Sequence, residues 1–423
     1  MLSCRNGRSD TLELEGRVLA PAQGIDECLK IWIEEGVISR IEPAPASEVV
    51  VAPAFVDPHV HLRSPGREDE ETIRSGTEAA AAGGYCAILA MPNTEPVVDS
   101  ASVLGELVER ARRDAVVPTG FMAAISKGQG GEELTEMAEL TAAGAVAFTD
   151  DGRPVASAGL MRRALQYSGL TGRPLALHSE EPTLSRGGHA HEGTVSAELG
   201  LGPYPAAAES VMVERDLALA GIEERRVHLM HLSAKESVGA LRRARADGVP
   251  ATAEVTPHHL CLTDEAVRSL DSNLKMNPPL RAEDDRAALI EALRDGTVTC
   301  VATDHAPHAR HEKDAPFEDA PFGVTGLETA FSALYTTLVV PGGLRLETLL
   351  ERMSHGPARA FGLDEPTIEV GERANLVVLD LDAEWTVTEE RFRSLSANSW
   401  LLGARLRGLV LRTIADGRSV FSA

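Results

Sequence analysis

Hydrophobic and polar positions along the chain fall into two rhythms. Near the N-terminus they alternate, in Thr11-Leu-Glu-Leu and in Leu29-Lys-Ile-Trp-Ile, which runs through Glu35-Gly36 into Val37-Ile-Ser-Arg-Ile. Period-two alternation punctuated by turn residues predicts short β-strands over residues 10–52. The same style returns in Ala374-Asn-Leu-Val-Val-Leu-Asp and in Gly408-Leu-Val-Leu-Arg-Thr-Ile-Ala-Asp-Gly. Strands this short need partners, so the two ends are expected to pair into one small β domain, residues 1–52 with 366–423.

Between them, over residues 53–365, continuous apolar runs alternate with amphipathic helical stretches. The runs are 49–56, 85–91, 116–125, 144–148, 174–177, 226–230, 249–255 and 297–302. Runs without alternation fit strands buried on both faces, and their interleaving with helices implies a parallel sheet. Eight such units over roughly 300 residues match the number and size of a TIM (β/α)8 barrel. The fold class expected is therefore α/β: a barrel carrying a β domain made from both termini.

Composition changes this picture little. The 423 residues are 43% hydrophobic but only 4% aromatic, so Leu, Val and Ala must fill the core. A formal charge of −23 argues against nucleic-acid or anionic-membrane partners, which need a basic footprint. Five scattered cysteines without a C-x-x-C pair suit reduced thiols. Residues 1–15 hold no apolar stretch of signal-peptide type, and no segment reaches membrane-spanning length. A cytoplasmic location is the expectation.

In a barrel of this kind catalytic groups sit where strands end. Run one ends Asp57-Pro-His59-Val-His61-Leu-Arg63; His59 and His61, two apart, share a face. Run four ends in Asp150-Asp151, run five in His178-Ser-Glu180, run six in His231, and run eight in Asp304-His-Ala-Pro-His308. A lone histidine after a strand is usually a hydrogen-bonded structural residue. Four histidines and at least two aspartates at matching ends of five strands are brought into one mouth by closure. Histidine and carboxylate without cysteine suits zinc or a manganese-type divalent ion. Other histidines fit this pattern poorly. His189 and His191 repeat the His-x-His spacing in a glycine-rich stretch read as a loop. His258 and His259 are adjacent and expected to hydrogen-bond, His228 lies inside a strand on the wrong face, and His355 lies in a helical region.

These residues resemble a known family. Asp57-Pro-His-Val-His-Leu-Arg63-Ser-Pro-Gly and Ala302-Thr-Asp304-His-Ala-Pro-His308, the latter followed by Lys313, look like the two dihydroorotase signatures. Met91-Pro-Asn93-Thr and Phe148-Thr-Asp-Asp-Gly extend the likeness over nearly the whole chain, closest to the bacterial type I enzymes of the amidohydrolase superfamily. The resemblance implies two divalent ions, with zinc the family expectation: one held by His59, His61 and Asp304, the other by His178 and His231. Many amidohydrolases bridge the ions with a carboxylated strand-four lysine. None is available here, Lys127 and Lys235 being the nearest. The type I pattern puts an aspartate there, Asp151, with Asp150 as its rival. It also implies substrate contacts by His61, Arg63, Asn93 and His308, and Asn277 beside the pyrimidine ring. The Pro- and Gly-rich stretch from His305 to Leu327 reads as a lid, with Phe322 and Gly323 offering backbone groups to the ring.

The activity so implied is the reversible cyclisation of N-carbamoyl-L-aspartate to (S)-dihydroorotate and water, in de novo synthesis of UMP. Paired metals can share a hydroxide near neutral pH and polarise the amide carbonyl. Asp304 would act as general acid/base, so that cyclisation is favoured at lower pH and hydrolysis at higher pH. Arg63 offers a planar fork for a carboxylate. Dihydropyrimidinases, hydantoinases and allantoinases are the rival enzymes, set apart by the strand-four lysine. A catalytically dead scaffold for aspartate transcarbamoylase is the rival of another class, and it would have lost ligands that are all kept here. A homodimer is expected, and an active chain could still associate with the transcarbamoylase.

Overall fold

The computed structural model describes residues 2–5, 7 and 11–423. Five residues of the expected 1–52 segment (Met1, Asn6 and residues 8–10) lie outside the described residues.

Four strands open the chain: β1 (Leu12–Ala20), β2 (Ile25–Glu34), β3 (Val37–Pro43) and β4 (Val49–Pro53). Seven shorter parallel-type strands and two small bridging strands follow. They are β5 (Phe55–Val60), β6 (Tyr85–Ala90), β7 (Thr119–Phe121), β8 (Leu175–Leu177), β9 (Ala190–His191), β10 (Pro203–Tyr204), β11 (Val227–Leu229), β12 (Ala251–Val255) and β13 (Cys300–Val301). Three long strands close it: β14 (Leu376–Thr386), β15 (Arg405–Ala415) and β16 (Arg418–Ser422).

The two ends form one seven-stranded sheet in the order β16-β15-β14-β4-β1-β2-β3. Its register is set by its turns. Glu35-Gly36 and Asp416-Gly417 all have positive φ, from 48° to 79°, as a two-residue type I′ hairpin requires. The turns meet: a Cβ on Gly417 would stand 2.4 Å from the Gly36 backbone. Ala374 N–H donates to Gly36 O, and Gly417 N–H to Ala374 O. Leu14, Val18, Ile31, Ile33, Ile38, Val51, Leu376 and Ile414 fill the core of this sheet.

The remaining strands are parallel, alternating with helices such as Ile73–Ala82, Ala158–Thr171, Ala207–Glu223 and Glu283–Asp295. The first of these begins at a capping box, Thr72 Oγ1 accepting from Ser75 N–H while Ser75 Oγ accepts from Thr72 N–H, each at 3.0 Å. One parallel stretch is β5-β6-β7 and the other β13-β12-β11-β8. Phe148 joins them on one side by parallel bridges to Ala123 and Leu175, and Val60 pairs with His305 on the other. The protein is thus α/β with a separate β-sheet drawn from both ends.

Three expectations change. The run 49–56 is not one strand. Val49–Pro53 belongs to the seven-stranded sheet, paired with β1 and β14, and Phe55–Val60 starts the parallel set. A continuous apolar run cannot mark where a strand leaves one sheet for another. The run 144–148 forms no strand; only Phe148 pairs, through its two isolated bridges. The stretch read as a loop at His189 and His191 contains β9, which pairs with β10.

Candidate active site

The strands deliver their polar residues to one floor. His59 stands on β5 and His61 just beyond it. His178 follows β8, His231 follows β11 by two residues, and Asp304 follows β13 by three. All are buried, as is Asp151, with exposures of 0 to 9%. Arg63, His231 and Asp304 have positive φ, at 54°, 33° and 48°. Such backbone is costly for residues with a Cβ and persists where surrounding structure over-determines it, often at functional sites.

Asp151 lies at the centre. Its Oδ1 is 3.7 Å from His59 Nε2, 3.6 Å from His178 Nδ1 and 3.7 Å from His231 Nε2, and its Oδ2 is 3.5 Å from His61 Nε2. Asp304 Oδ1 lies 3.1 Å from His61 Nε2 and 3.3 Å from His59 Nε2. His178 Nδ1 and His231 Nε2 face each other at 2.8 Å. Two triads able to hold a divalent ion result, His59/His61/Asp151 and Asp151/His178/His231, with Asp151 common to both. The donor set fits: His59 Nε2, fully buried, has no hydrogen-bond partner among the described residues and points into this cluster.

Electrostatics follow from the packing. Burial opposes ionisation of Asp151, but His59 and the neighbouring imidazoles outweigh it and hold the carboxyl well below its usual range. Asp304 is lowered in the same way, burial being overcome chiefly by His59 and His61. Burial works against a charged His59, whereas Asp304, Glu254 and Asp151 pull its pKa upward.

The adjacent aspartates separate cleanly. Asp150 accepts from Ile125 N–H at 2.8 Å, from Ser126 N–H at 3.1 Å and from the Ser126 hydroxyl. It is spent on the backbone, while Asp151 faces the four imidazoles. Lys127 pairs with Glu133 and Lys235 with Asp284, both in exposed positions away from the floor.

Among the described residues, three of the four outer ring nitrogens are also engaged, the exception being Nδ1 of His231. His59 Nδ1–H donates to Glu254 Oε1 at 2.6 Å, and His178 Nε2 meets Glu180 Oε2 at 2.8 Å. His61 Nδ1 meets Asn93 Oδ1 at 2.9 Å, while Asn93 Nδ2 donates to Asp151 Oδ2 at 3.2 Å. Asn93 therefore supports the floor in addition to lining the cavity. Asn277 Nδ2 donates to Glu180 Oε2 at 3.1 Å, leaving its buried Oδ1 without a hydrogen-bond partner.

Above the floor opens a cavity of about 630 Å³, lined by Arg63, Asn93, Arg153, His308 and Pro321 among others. Arg63 Nε lies 3.0 Å from Glu70 Oε2 and donates to Pro307 O, and its Nη2 is 3.3 Å from His308 Nε2. His308 reaches Glu70 through Nδ1 and the carbonyl of Phe322 through Nε2. Gly323 N–H donates to Lys275 O, and its carbonyl accepts from Lys313 Nζ and Asn398 Nδ2. With φ at +113° and Ala306 Cβ 2.6 Å from where a side chain would begin, position 323 requires glycine. Both backbone groups of Gly323, and the carbonyl of Phe322, are engaged within the protein.

The other histidines lie outside the donor set. His259 bonds Thr256 and the Pro278 carbonyl, His191 meets Arg281, and His355 is buried at the start of a short helix. His258 is buried beside His259. Sequence reading missed Glu254 and Glu70. The signal for Glu254 was present, a carboxylate inside the strand Ala251-Thr-Ala-Glu-Val. Glu70 lies in the charged run 67–71, which reads as a solvated loop.

A parallel-stranded α/β fold with four histidines and two aspartates gathered at its strand ends defines the metal-dependent amidohydrolases that act on cyclic amides. The structure of L-hydantoinase (dihydropyrimidinase) from Arthrobacter aurescens superposes with a TM-score of 0.86 at 25% identity, covering 96% of this chain and 94% of that one. The dihydroorotase of Anaeromyxobacter dehalogenans (strain 2CP-C) is 46% identical, over 97% of this chain and 98% of its own. That of Pelotomaculum thermopropionicum is 46% identical, over 96% and 97%. A family model described as dihydro-orotase-like matches residues 48–237. The chain belongs to the dihydroorotase family.

Proposed function

We infer that the chain interconverts N-carbamoyl-L-aspartate and (S)-dihydroorotate in de novo pyrimidine synthesis. The observation that carries this is Asp151. A carboxylate shared by both histidine pairs stands where a carboxylated lysine would be sought, in a chain similar over its full length to dihydroorotases. His59, His61 and Asp304 would hold one divalent ion, His178 and His231 the other, and Asp151 both; an N/O set of this kind suits Zn2+. Bound there, the two ions would lower the pKa of a shared water and polarise the amide carbonyl.

The side chains supply the rest. Asp304 has the most exposed side chain of the six, at 12%, and stands beside His61 at 3.1 Å. In hydrolysis it takes a proton from the attacking water and returns it to the departing ring nitrogen; in cyclisation it enters protonated and helps expel water. Arg63, His308 and Asn93 receive the substrate carboxylate, with Asn277 and the Phe322-Gly323 turn beside the ring. The bridges through Phe148 and between Val60 and His305 support one closed eight-stranded barrel, residues 53–365, with 1–52 and 366–423 as the β domain. Among the described residues no helix is long and apolar enough to cross a membrane; we take the enzyme to be cytoplasmic, as its proposed role in pyrimidine synthesis suggests. We take the active unit to be a homodimer, with association to aspartate transcarbamoylase open to an active chain.

Turnover of carbamoyl-aspartate, hydantoin and allantoin on one metal-loaded preparation tests the reading. Carbamoyl-aspartate should be preferred by orders of magnitude. Preference for hydantoin or allantoin would move the chain to the rival enzymes, and dependence of reconstitution on bicarbonate would remove Asp151 as the bridge.

A further inference from the structure

Glu254 is not among the ligands, yet it touches both halves of the metal centre. It stands on β12, fully buried, in a strand otherwise built of small and apolar side chains and one threonine. Its Oε1 accepts from His59 Nδ1–H at 2.6 Å and from the backbone N–H of His231 at 3.3 Å. Its Oε2 accepts from His228 Nε2–H at 2.9 Å, and His228 Nδ1 in turn meets Thr252 Oγ1 at 2.8 Å. Burying a carboxylate is costly unless its oxygens are satisfied, and here three donors satisfy them.

An ionised carboxylate only accepts. His59 must therefore carry a proton on Nδ1, which makes Nε2, facing Asp151 and Asp304, the nitrogen that would hold a metal ion. The amide of His231 is tied to the same oxygen, at a residue whose φ of 33° needs outside support. His228, which sequence reading set aside as facing the wrong way, is the far end of this chain of contacts.

We propose that Glu254 is a positioning residue for the metal centre. It selects the tautomer of His59 and fixes the backbone of His231, with His228 and Thr252 holding it in turn. Carboxylates behind metal-bound histidines act in this way, and their loss typically weakens metal binding 10- to 100-fold. The inference rests on the two-ion reading above.

Metal-stripped protein titrated with Zn2+ against a chromophoric chelator separates the two. Wild type should take two ions per chain; fewer would overturn the two-ion reading itself. Given two in wild type, Glu254→Gln should bind the ion at the His59 side roughly 10- to 100-fold more weakly. The metal-free variant should remain folded, and the visible spectrum of the Co2+-loaded form should change. Two ions bound at wild-type affinity with an unchanged spectrum would overturn the proposal. If Glu254→Gln does not fold, His228→Gln provides the same readout, with a smaller loss expected and unchanged affinity again decisive against it.

Discussion

The floor of the cavity and its rim are built on opposite principles. On the floor, short buried side chains leave the ends of rigid strands, and three of the four histidines are pinned through their outer nitrogen by Glu254, Asn93 or Glu180. At the rim, long charged side chains on loops hold one another. Glu70 lies between Arg63, Arg67 and His308, and Arg67 reaches Glu312 at 2.8 Å while its own side chain is 41% exposed. Strands place groups to a fraction of an ångström and loops do not. The division suits the proposed chemistry: proton transfer and metal binding demand fixed geometry, whereas admitting a charged substrate needs complementary charge that can adjust.

The largest effect that comparison predicts lies on the floor. Asp304→Asn keeps the shape of the side chain and its contact with His61 but cannot accept the proton. Loss of a general acid/base costs roughly 10²- to 10⁴-fold in turnover. Steady-state rates in both directions should fall by that order, and the opposed pH dependences of cyclisation and hydrolysis should disappear from what remains. A loss of only a few-fold would move the proton transfer to another group.

The neighbouring aspartates provide an internal control. Asp150→Ala leaves two backbone N–H groups and the Ser126 hydroxyl without their acceptor. At about 1–3 kcal/mol for a buried donor left unpaired, partly relieved by relaxation, stability should drop by about 2–4 kcal/mol. Asp151→Asn should lower the metal content, while in metal-free protein it gives up only the attraction of the imidazoles and so shifts the unfolding midpoint less than Asp150→Ala does. Urea unfolding and elemental analysis on both variants read the distinction. Equal loss of metal in the two, at equal stability, would erase it.

This contrast also explains what the sequence could reveal. His59, His61, His178, His231 and Asp304 follow apolar runs, and strand periodicity with closure brings such positions together. Asp151 was harder, because the run before it is a single bridged residue, Phe148, and only the packing shows which aspartate the Ser126 amide takes. The fold was legible where hydrophobic rhythm changes, but not at 49–56, where one apolar run serves two sheets. Glu70, Glu312 and Arg67 were illegible in kind: charged residues in a loop look the same whether they face water or close a rim.

Within the loop beyond β13, Lys313 tests how that rim is held. It is 6% exposed, donates to the carbonyls of Pro321 and Gly323, and burial brings its pKa down to about 7, aided by the charge of Lys275. The unfolded chain releases this proton only near pH 10.4. Between about 7 and 10 the unfolded state therefore binds a proton that the folded state has lost, and stability rises with pH by up to about 1.4 kcal/mol per unit. The stability of wild type relative to Lys313→Met should climb from pH 7 to 8.5, by about 2 kcal/mol at most. A flat difference would mean that the loop opens enough to hydrate the ammonium.

The smallest effect belongs to Glu70. It is 2% exposed and engages Arg63 through Nε, so that Nη2 meets His308 and Nη1 is left to meet a carboxylate in the cavity. Burial alone would depress the pKa of Arg63; Glu70 is the first counter-charge opposing it. Glu70→Gln keeps the shape and removes the charge, so Arg63 and His308 lose the partner they share. Their rotation should raise KM for carbamoyl-aspartate and lower kcat/KM by about tenfold, about 1.4 kcal/mol, with the metal content unaltered. The opposite sign is just as readable. If KM fell, Glu70 would be competing with the substrate for Arg63, and the rim would act as a latch that the incoming carboxylate must displace.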